Sequence, residues 1–184
     1  MSKKQPAGSS IEDTVRSADG TAIAYTRTGE GPPVIFVAGA TQYRAISETE
    51  SELSASLASR FSVITYDRRG RGESGDTAPY AVEREIEDIA ALIDVAGGHA
   101  ALFGESSGAV LALEAVLHGL PISRLACYEP PFYVYAGYPQ RSADFTERFD
   151  ALVADGRRGD AFELFMIEAV GVPAEAAAGI TEIP

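Results

Sequence analysis

Apolar residues along this chain fall into two alternating patterns. Val34-Ile35-Phe36-Val37 is a continuous β-branched and aromatic run, the pattern of a strand covered on both faces. Phe61 to Tyr66, Ala100-Ala101-Leu102-Phe103 and Ile122 to Tyr128 read as further strands. Between them the apolar residues recur at helical spacing. Leu53 and Leu57 share one face of a stretch from Ser47 to Arg60, which Ser47 can cap and whose Glu48, Glu50 and Glu52 favour the positive helix start. Val82, Ile86, Ile89 and Ile93 predict a helix over 82–95, closed by Gly97-Gly98. Leu111, Leu113 and Val116 predict an apolar helix from Ser107 to Leu117. Ahead of all this, Asp13–Ser17 and Thr21–Arg27 flank an Ala18-Asp19-Gly20 turn, a hairpin signal. Strand and helix alternation predicts an α/β fold, a mostly parallel sheet with helices on both faces.

After Pro131 the strand-like runs stop. Phe145, Phe149, Leu152 and Val153 suit one helix, and Phe162, Phe165, Met166, Ala169 and Val170 suit a second. Two readings stay open: these helices cover the sheet, or they form a lid over a pocket. The expected organisation is a flexible tail over 1–10, an α/β core over 11–131 and a helical cap segment over 132–184.

Composition narrows the function classes. The 184 residues carry 15 Lys and Arg against 27 Asp and Glu, a formal net charge of −12. That charge repels phosphate backbones and anionic membrane surfaces, so neither nucleic acid nor membrane is an expected partner. Cys127 is the one cysteine, which excludes an internal disulfide; it reads as a small buried hydrophobe. One cysteine and two distant histidines do not make a ligand set, so no metal and no cofactor are expected. No apolar run approaches the ~20 residues of a membrane helix, and no apolar stretch follows the charged start, so the expected location is the cytoplasm.

The chemistry candidate is Gly104-Glu105-Ser106-Ser107-Gly108, a G-x-S-x-G pattern between a buried strand and a helix. Small flanking residues permit a sharp turn that lifts Ser106 to the C-terminal edge of the sheet. The helix N-terminus behind it offers free N–H groups to an oxyanion. Ser107 is placed to donate one N–H. Ala40, in the Ala38-Gly39-Ala40-Thr41 loop after the Val34–Val37 strand, is the natural second donor. The alternative is a tight turn with an N-capping serine. Thr41 and Tyr43, together with Gln42 and Arg44, follow the oxyanion loop and are candidate substrate-lining residues.

At these residues the chain resembles the α/β-hydrolase superfamily, and within it small bacterial serine hydrolases. The resemblance runs from about Thr14 to the C-terminus. It rests on the Val34-to-Gly39 strand and turn, on Tyr66-Asp67-Arg68-Arg69-Gly70-Arg71-Gly72-Glu73-Ser74, on the Ser106 elbow and on Tyr128-Glu129-Pro130-Pro131-Phe132. It implies that the Ser106 strand is central and that the segment after Pro131 is an inserted cap. It also implies an acyl-enzyme on Ser106 and hydrolysis of a carboxylester, thioester or lactone. Many members carry His-Gly where this chain has Ala38-Gly39, which leaves the backbone donor of Ala40 intact. Members with an aspartate nucleophile are not matched, because position 106 is serine; that leaves amide and carbon–carbon bond hydrolysis open beside the ester-like bonds.

A serine nucleophile needs a base. His118 lies twelve residues after Ser106, roughly 18 Å along a helix at ~1.5 Å per residue. His99 lies seven residues before it, roughly 20 Å along a strand at ~3.3 Å per residue. Neither reaches Ser106. The resemblance places the base behind a final strand absent from this sequence. The expectation is therefore the nucleophile-bearing portion of a larger hydrolase, its C-terminal strands missing. The histidine and acid would then come from a second polypeptide or from the remainder of the same enzyme. Glu129 is a possible acid, at a position where some members of the family carry it; the favoured reading is an arginine partner or a turn cap. Two other classes compete. Gly70-Arg71-Gly72-Glu73-Ser74-Gly75 matches the dinucleotide pattern G-x-G-x-x-G, but Asp76-Thr77-Ala78-Pro79 follows it rather than a helix. A non-catalytic binding or interaction protein on the same fold is the other.

Overall fold

A computed structural model describes residues 10–132, 134 and 141–180. Of the tail expected over 1–10, only Ser10 is described, and it opens the first strand rather than a loose segment. The chain divides into two compact units, Met1–Pro131 and Phe132–Pro184.

The first unit is built on a six-stranded sheet. Its strands are β1 (Ser10–Arg16), β2 (Ala22–Thr28), β3 (Pro33–Val37), β4 (Ser62–Tyr66), β5 (Ala100–Glu105) and β6 (Ile122–Tyr128), ordered β1-β2-β4-β3-β5-β6. β1 and β2 form the antiparallel hairpin expected at Asp19-Gly20, with the Gly20 N–H donating to the Ser17 carbonyl. β2 meets β4 antiparallel, and from β4 onward the neighbours are parallel. β5 is second from one edge. The central place implied for it is not what these six strands give, because among the described residues β6 has no neighbour on its far side.

The register sorts side chains by face. Ile35, Val37, Ile64, Tyr66 and Leu102 point to one side, where α2 (Val82–Val95) and α3 (Ser107–Leu117) bring Ile86, Ile89, Leu92, Ile93, Leu111 and Ala115 against them. Most of these residues are fully buried. Alternation sends Phe36, Thr65 and Phe103 to the opposite side, which α1 (Glu48–Leu57) partly covers. The Ser47 hydroxyl caps α1 by accepting the Glu50 N–H at 3.3 Å.

Cys127 is exposed, contrary to the sequence expectation. Its strand is an edge, so a residue there lacks the second neighbour that would bury it.

The arginine-rich loop after β4 ties the unit together. Arg68 forks onto Glu85, with both N–O distances 2.6 Å. Arg69 grips Asp88 and reaches Asp19 at 2.8 Å. Arg71 pairs with no carboxylate among the described residues; it donates to the Gly39 carbonyl at 2.7 Å. The G-x-G-x-x-G segment closes on itself through a bond from the Gly70 N–H to the Gly75 carbonyl, and no helix opens before Val82. No helix N-terminus therefore stands there to receive a pyrophosphate.

In the second unit, α4 (Phe145–Ala154) is the helix expected from its apolar spacing. The second expected helix is divided into α5 (Arg158–Leu164) and a π-helical turn, Phe165–Val170, which Gly171 ends at φ 85°. A short α6 (Ala174–Ile180) follows. Phe145 stacks on Phe149 at 5.9 Å, and Glu168 accepts from Arg148 and Ser142 at 2.7 and 2.6 Å.

Candidate active site

Three non-glycine residues among those described have positive φ: Thr41, Ser106 and Glu129. Each follows the C-terminal end of a parallel strand, β3, β5 and β6. Backbone strain at one edge of a sheet is a mark of a functional site. Ser106 is the most informative. At φ 51° and ψ −121° it stands between β5 and α3, half-buried. A side chain at Gly108 would run into the Val37 carbonyl oxygen, and one at Gly104 into Ala109. Glycine at both positions lets α3 start hard against β3 and β5.

The flanking loops are drawn to this turn. The Ser106 N–H donates to the Tyr128 carbonyl at 2.9 Å, which brings Glu129 to the same strand edge. A Cβ at Gly39 would lie 3.3 Å from Ser106 Cβ, so the loop that carries Ala40 abuts the elbow. Gln42 holds that loop by accepting the Gly39 N–H at 2.8 Å. Arg71 braces it through the Gly39 carbonyl, and Arg68 reaches the Ala38 carbonyl at 3.2 Å and Ser107 Oγ at 3.4 Å. Three segments distant in sequence thus meet at Ser106.

Beside the elbow lies a cavity of about 230 Å³ on the α1 side of the sheet. Phe36, Leu53, Phe103 and Tyr128 give it apolar walls, and Gln42, Glu50 and Glu105 are its polar side chains among the described residues. Of the expected substrate-lining residues, Thr41 is exposed, and Tyr43 lines a second, more polar cavity with Arg44 and Asp67. Gln42, also among the expected lining residues, lines the first cavity; Glu50 and Glu105 are the polar groups that the loop reading did not single out. Glu50 had one signal in the sequence: it stands three and seven residues before Leu53 and Leu57, on the inward stripe of α1.

Burial acts first on Glu50, and the charges of Asp67 and Glu105 add to it, pushing its carboxyl up to about 7. Both histidines are exposed. His118 lies at the far end of α3 from Ser106, its Nδ1 2.8 Å from the Glu114 carbonyl.

A family model described as the alpha/beta hydrolase family matches residues 34–181. The chain belongs to that family. It is 56% identical to an alpha/beta hydrolase from Sphaerobacter thermophilus whose crystal structure superposes with a TM-score of 0.87, over 94% of this chain and 66% of that one. It is 29% identical over 125 residues to the uncharacterized hydrolase YraK of Bacillus subtilis, covering 65% of this chain and 45% of that protein. The bottromycin epimerase BotH shares the fold at 26% identity and a TM-score of 0.64, over 92% of this chain and 66% of that one. The chain spans less than half the length of the curated relatives it matches. Among the described residues, no helix is long and apolar enough to cross a membrane.

Proposed function

We propose that Ser106 is the nucleophile of a hydrolase acting on an ester-like bond, a carboxylester, thioester or lactone. The observation that carries this reading is its backbone: a non-glycine residue at φ 51° between a buried strand and a helix start. That strain is tolerated where it aims a side chain at a substrate. In the proposed step, Oγ adds to the substrate carbonyl carbon while its proton passes to a base. The carbonyl electron pair moves onto oxygen, where the N–H groups of Ala40 and Ser107 hold the developing charge. Ser107 opens α3, so its N–H has no partner within the helix. Collapse expels the leaving alcohol or thiol with the base's proton, and water then cleaves the acyl-enzyme by the same route.

The base is the part we assign to a segment outside this chain, either a second polypeptide or the remainder of the same hydrolase. Neither exposed histidine is placed to take a proton from Ser106. Among the described residues β6 has no strand on its far side, and an edge of that kind suits such a partner. Glu129 is a possible acid at that edge. Residues 132–184 we assign to the helical cap segment of the family, and the cytoplasm is the compartment that suits an exposed free thiol at Cys127.

A fluorophosphonate probe tests the nucleophile. Labelling of Ser106 that disappears in Ser106→Ala, with slow or no ester turnover by the chain alone, is the expected result. Robust turnover by this chain, lost in Ser106→Ala, would show that a base lies within it. No labelling with or without added partner favours the non-catalytic binding reading, which the remote histidines also favour. Native mass spectrometry tests the partner: a lone 19.4 kDa monomer with a solvated β6 edge overturns it.

A further inference from the structure

Two guanidinium groups hold the loop after β3, one on each of two successive carbonyls. Arg68 Nη1 donates to the Ala38 carbonyl at 3.2 Å, and Arg71 Nη1 donates to the Gly39 carbonyl at 2.7 Å. A trans peptide unit is planar, so its carbonyl and its N–H face opposite ways. Each arginine therefore fixes the direction of one N–H. In the first unit both ends are occupied, because the Gly39 N–H donates to Gln42 Oε1 at 2.8 Å. In the second, Arg71 holds the Gly39 carbonyl, and among the described residues the Ala40 N–H donates to nothing. Arg71 Nη1 also reaches the Gln42 carbonyl at 3.4 Å, so one side chain spans the Ala40-Thr41 turn. That turn needs an anchor: Gly39 has no Cβ to limit rotation of the peptide that follows it, and Thr41 stands at φ 64°. Arg68 is committed to the Glu85 fork, whereas Arg71 has only these carbonyls. Burial, and then the charge of Arg68, draw the Arg71 guanidinium below the usual arginine range, so keeping a cation here is costly.

We propose that Arg71 is the positioning residue of the oxyanion site: it holds the Gly39–Ala40 peptide with its N–H turned to the elbow and strengthens that N–H as a donor. The proposal rests on the reading of Ser106 as nucleophile. The cation draws electron density toward the Gly39 oxygen, and amide resonance passes the loss to the Ala40 nitrogen. Hydrogen bonds linked through one peptide reinforce each other in this way. Arg71 touches no reacting atom and acts through Ala40. The elbow is close at hand, since a Cβ at Gly39 would stand 3.3 Å from Ser106 Cβ. The benefit is felt when an oxygen gains charge, so it lowers the barrier rather than tightening ground-state binding.

Two measurements on the whole chain test this. The first is the rate at which a fluorophosphonate labels Ser106. Oγ bonds to phosphorus, the P–F bond breaks, fluoride leaves with the bonding pair, and the Oγ proton passes to solvent, while the phosphoryl oxygen gains charge in the oxyanion site. Arg71→Met keeps the stem and removes the charge and the donors. It is expected to lower the limiting rate at least about tenfold and to leave the half-saturating probe concentration unchanged. Arg71→Lys returns a charge and donors on a shorter arm and should recover part of the loss. It also carries the test, as a variant slower than the wild type, if Arg71→Met does not fold. The second is the 1H–15N spectrum of the unreacted chain, where Arg71→Met should move the Ala40 amide proton upfield by more than that of Ser107. Suppose the wild type labels at Ser106. Equal rates in a folded Arg71→Met variant, a change in probe affinity alone, no recovery in Arg71→Lys, or an unmoved Ala40 resonance would then each overturn the proposal and leave the hydrolase reading standing. A wild type that never labels, with Ala40 still moved by Arg71→Met, would overturn the hydrolase reading and the oxyanion role with it, leaving Arg71 as a loop anchor.

Discussion

Glu50 and Glu85 occupy matching places on opposite faces of the sheet. Each sits in the first turn of its helix, α1 or α2, and each is buried. Their surroundings differ. Burial pushes Glu85 up, but the Arg68 fork outweighs it and Tyr80 adds a hydroxyl at 2.9 Å, so its carboxyl ends below the usual carboxylate range. Glu50 has the burial without the fork, and its carboxyl is held up near neutrality. The face under α2 and α3 is finished in its charges: apolar residues pack there, and Arg68 and Arg69 pair the buried Glu85 and Asp88. The face under α1 holds a cavity and Glu50, whose carboxylate oxygens lack a hydrogen-bond partner among the described residues, as does Nε of Arg44, with which it lines the second cavity. A buried carboxyl is lowered where an arginine fork meets it and raised where none does.

The largest effect should come from opening the finished pair. Arg68→Ala leaves Glu85 buried and unpaired, which is expected to destabilise by about 3–5 kcal/mol. Urea denaturation would measure it. A loss no larger than that of an exposed pair such as Arg157–Asp160 would remove the distinction between the faces. Core truncation should separate them in the same direction. Leu92→Ala, in the fully packed face, is expected to cost about 2–5 kcal/mol. Leu53→Ala borders an existing cavity and should cost under about 2 kcal/mol, because fewer contacts are lost.

pH should act on the two glutamates with opposite sign. Glu50 titrates near 7 when folded and at 4.5 in its unperturbed state, so the folded chain holds the proton longer. Its contribution to stability is therefore lost as pH rises from about 4.5 to about 7, and is constant above that. The gap corresponds to on the order of 3 kcal/mol. Glu85, with its carboxyl lowered, stabilises above the ordinary carboxylate range, and that stability is lost as pH falls through its folded value. Glu50→Gln should flatten the neutral limb of the pH–stability curve and leave the acid limb. An unchanged neutral limb would mean that Glu50 is already matched in solution.

The finished face was the legible one. Val82–Val95 and Ser107–Leu117 follow from periodicity to the residue, because a stripe that meets a complete core must keep its spacing. The strand–turn–helix place of Ser106 was legible for a related reason: only small residues pass at Gly104 and Gly108. The open face was not. Glu48, Glu50 and Glu52 look alike in sequence as favourable charges at a helix start, and only the spacing of Glu50 from Leu53 and Leu57 marks it as inward. The hold of Gln42 on its own loop was hidden because it depends on that loop folding back on Gly39. Cys127 was misjudged because a strand's neighbours decide its burial, and those are not written in its own residues.

The smallest expected effect concerns how the two helices begin. α1 opens on Ser47, whose hydroxyl accepts the Glu50 N–H, whereas α2 opens on Ala81 with no side-chain cap. Ser47→Ala should therefore cost about 0.5–1 kcal/mol, at the low end for a cap because the 3.3 Å bond is long. Ala81→Ser should gain a similar amount. Ala81 has extended backbone angles, φ −152° and ψ 153°, from which a serine oxygen can reach the first-turn N–H groups. Both changes should shift the urea midpoint without altering its slope. A serine at 81 that gains nothing would mean that the Glu85–Arg68 pair already fixes the start of α2, and that the finished face has no need of the cap on which the open face relies.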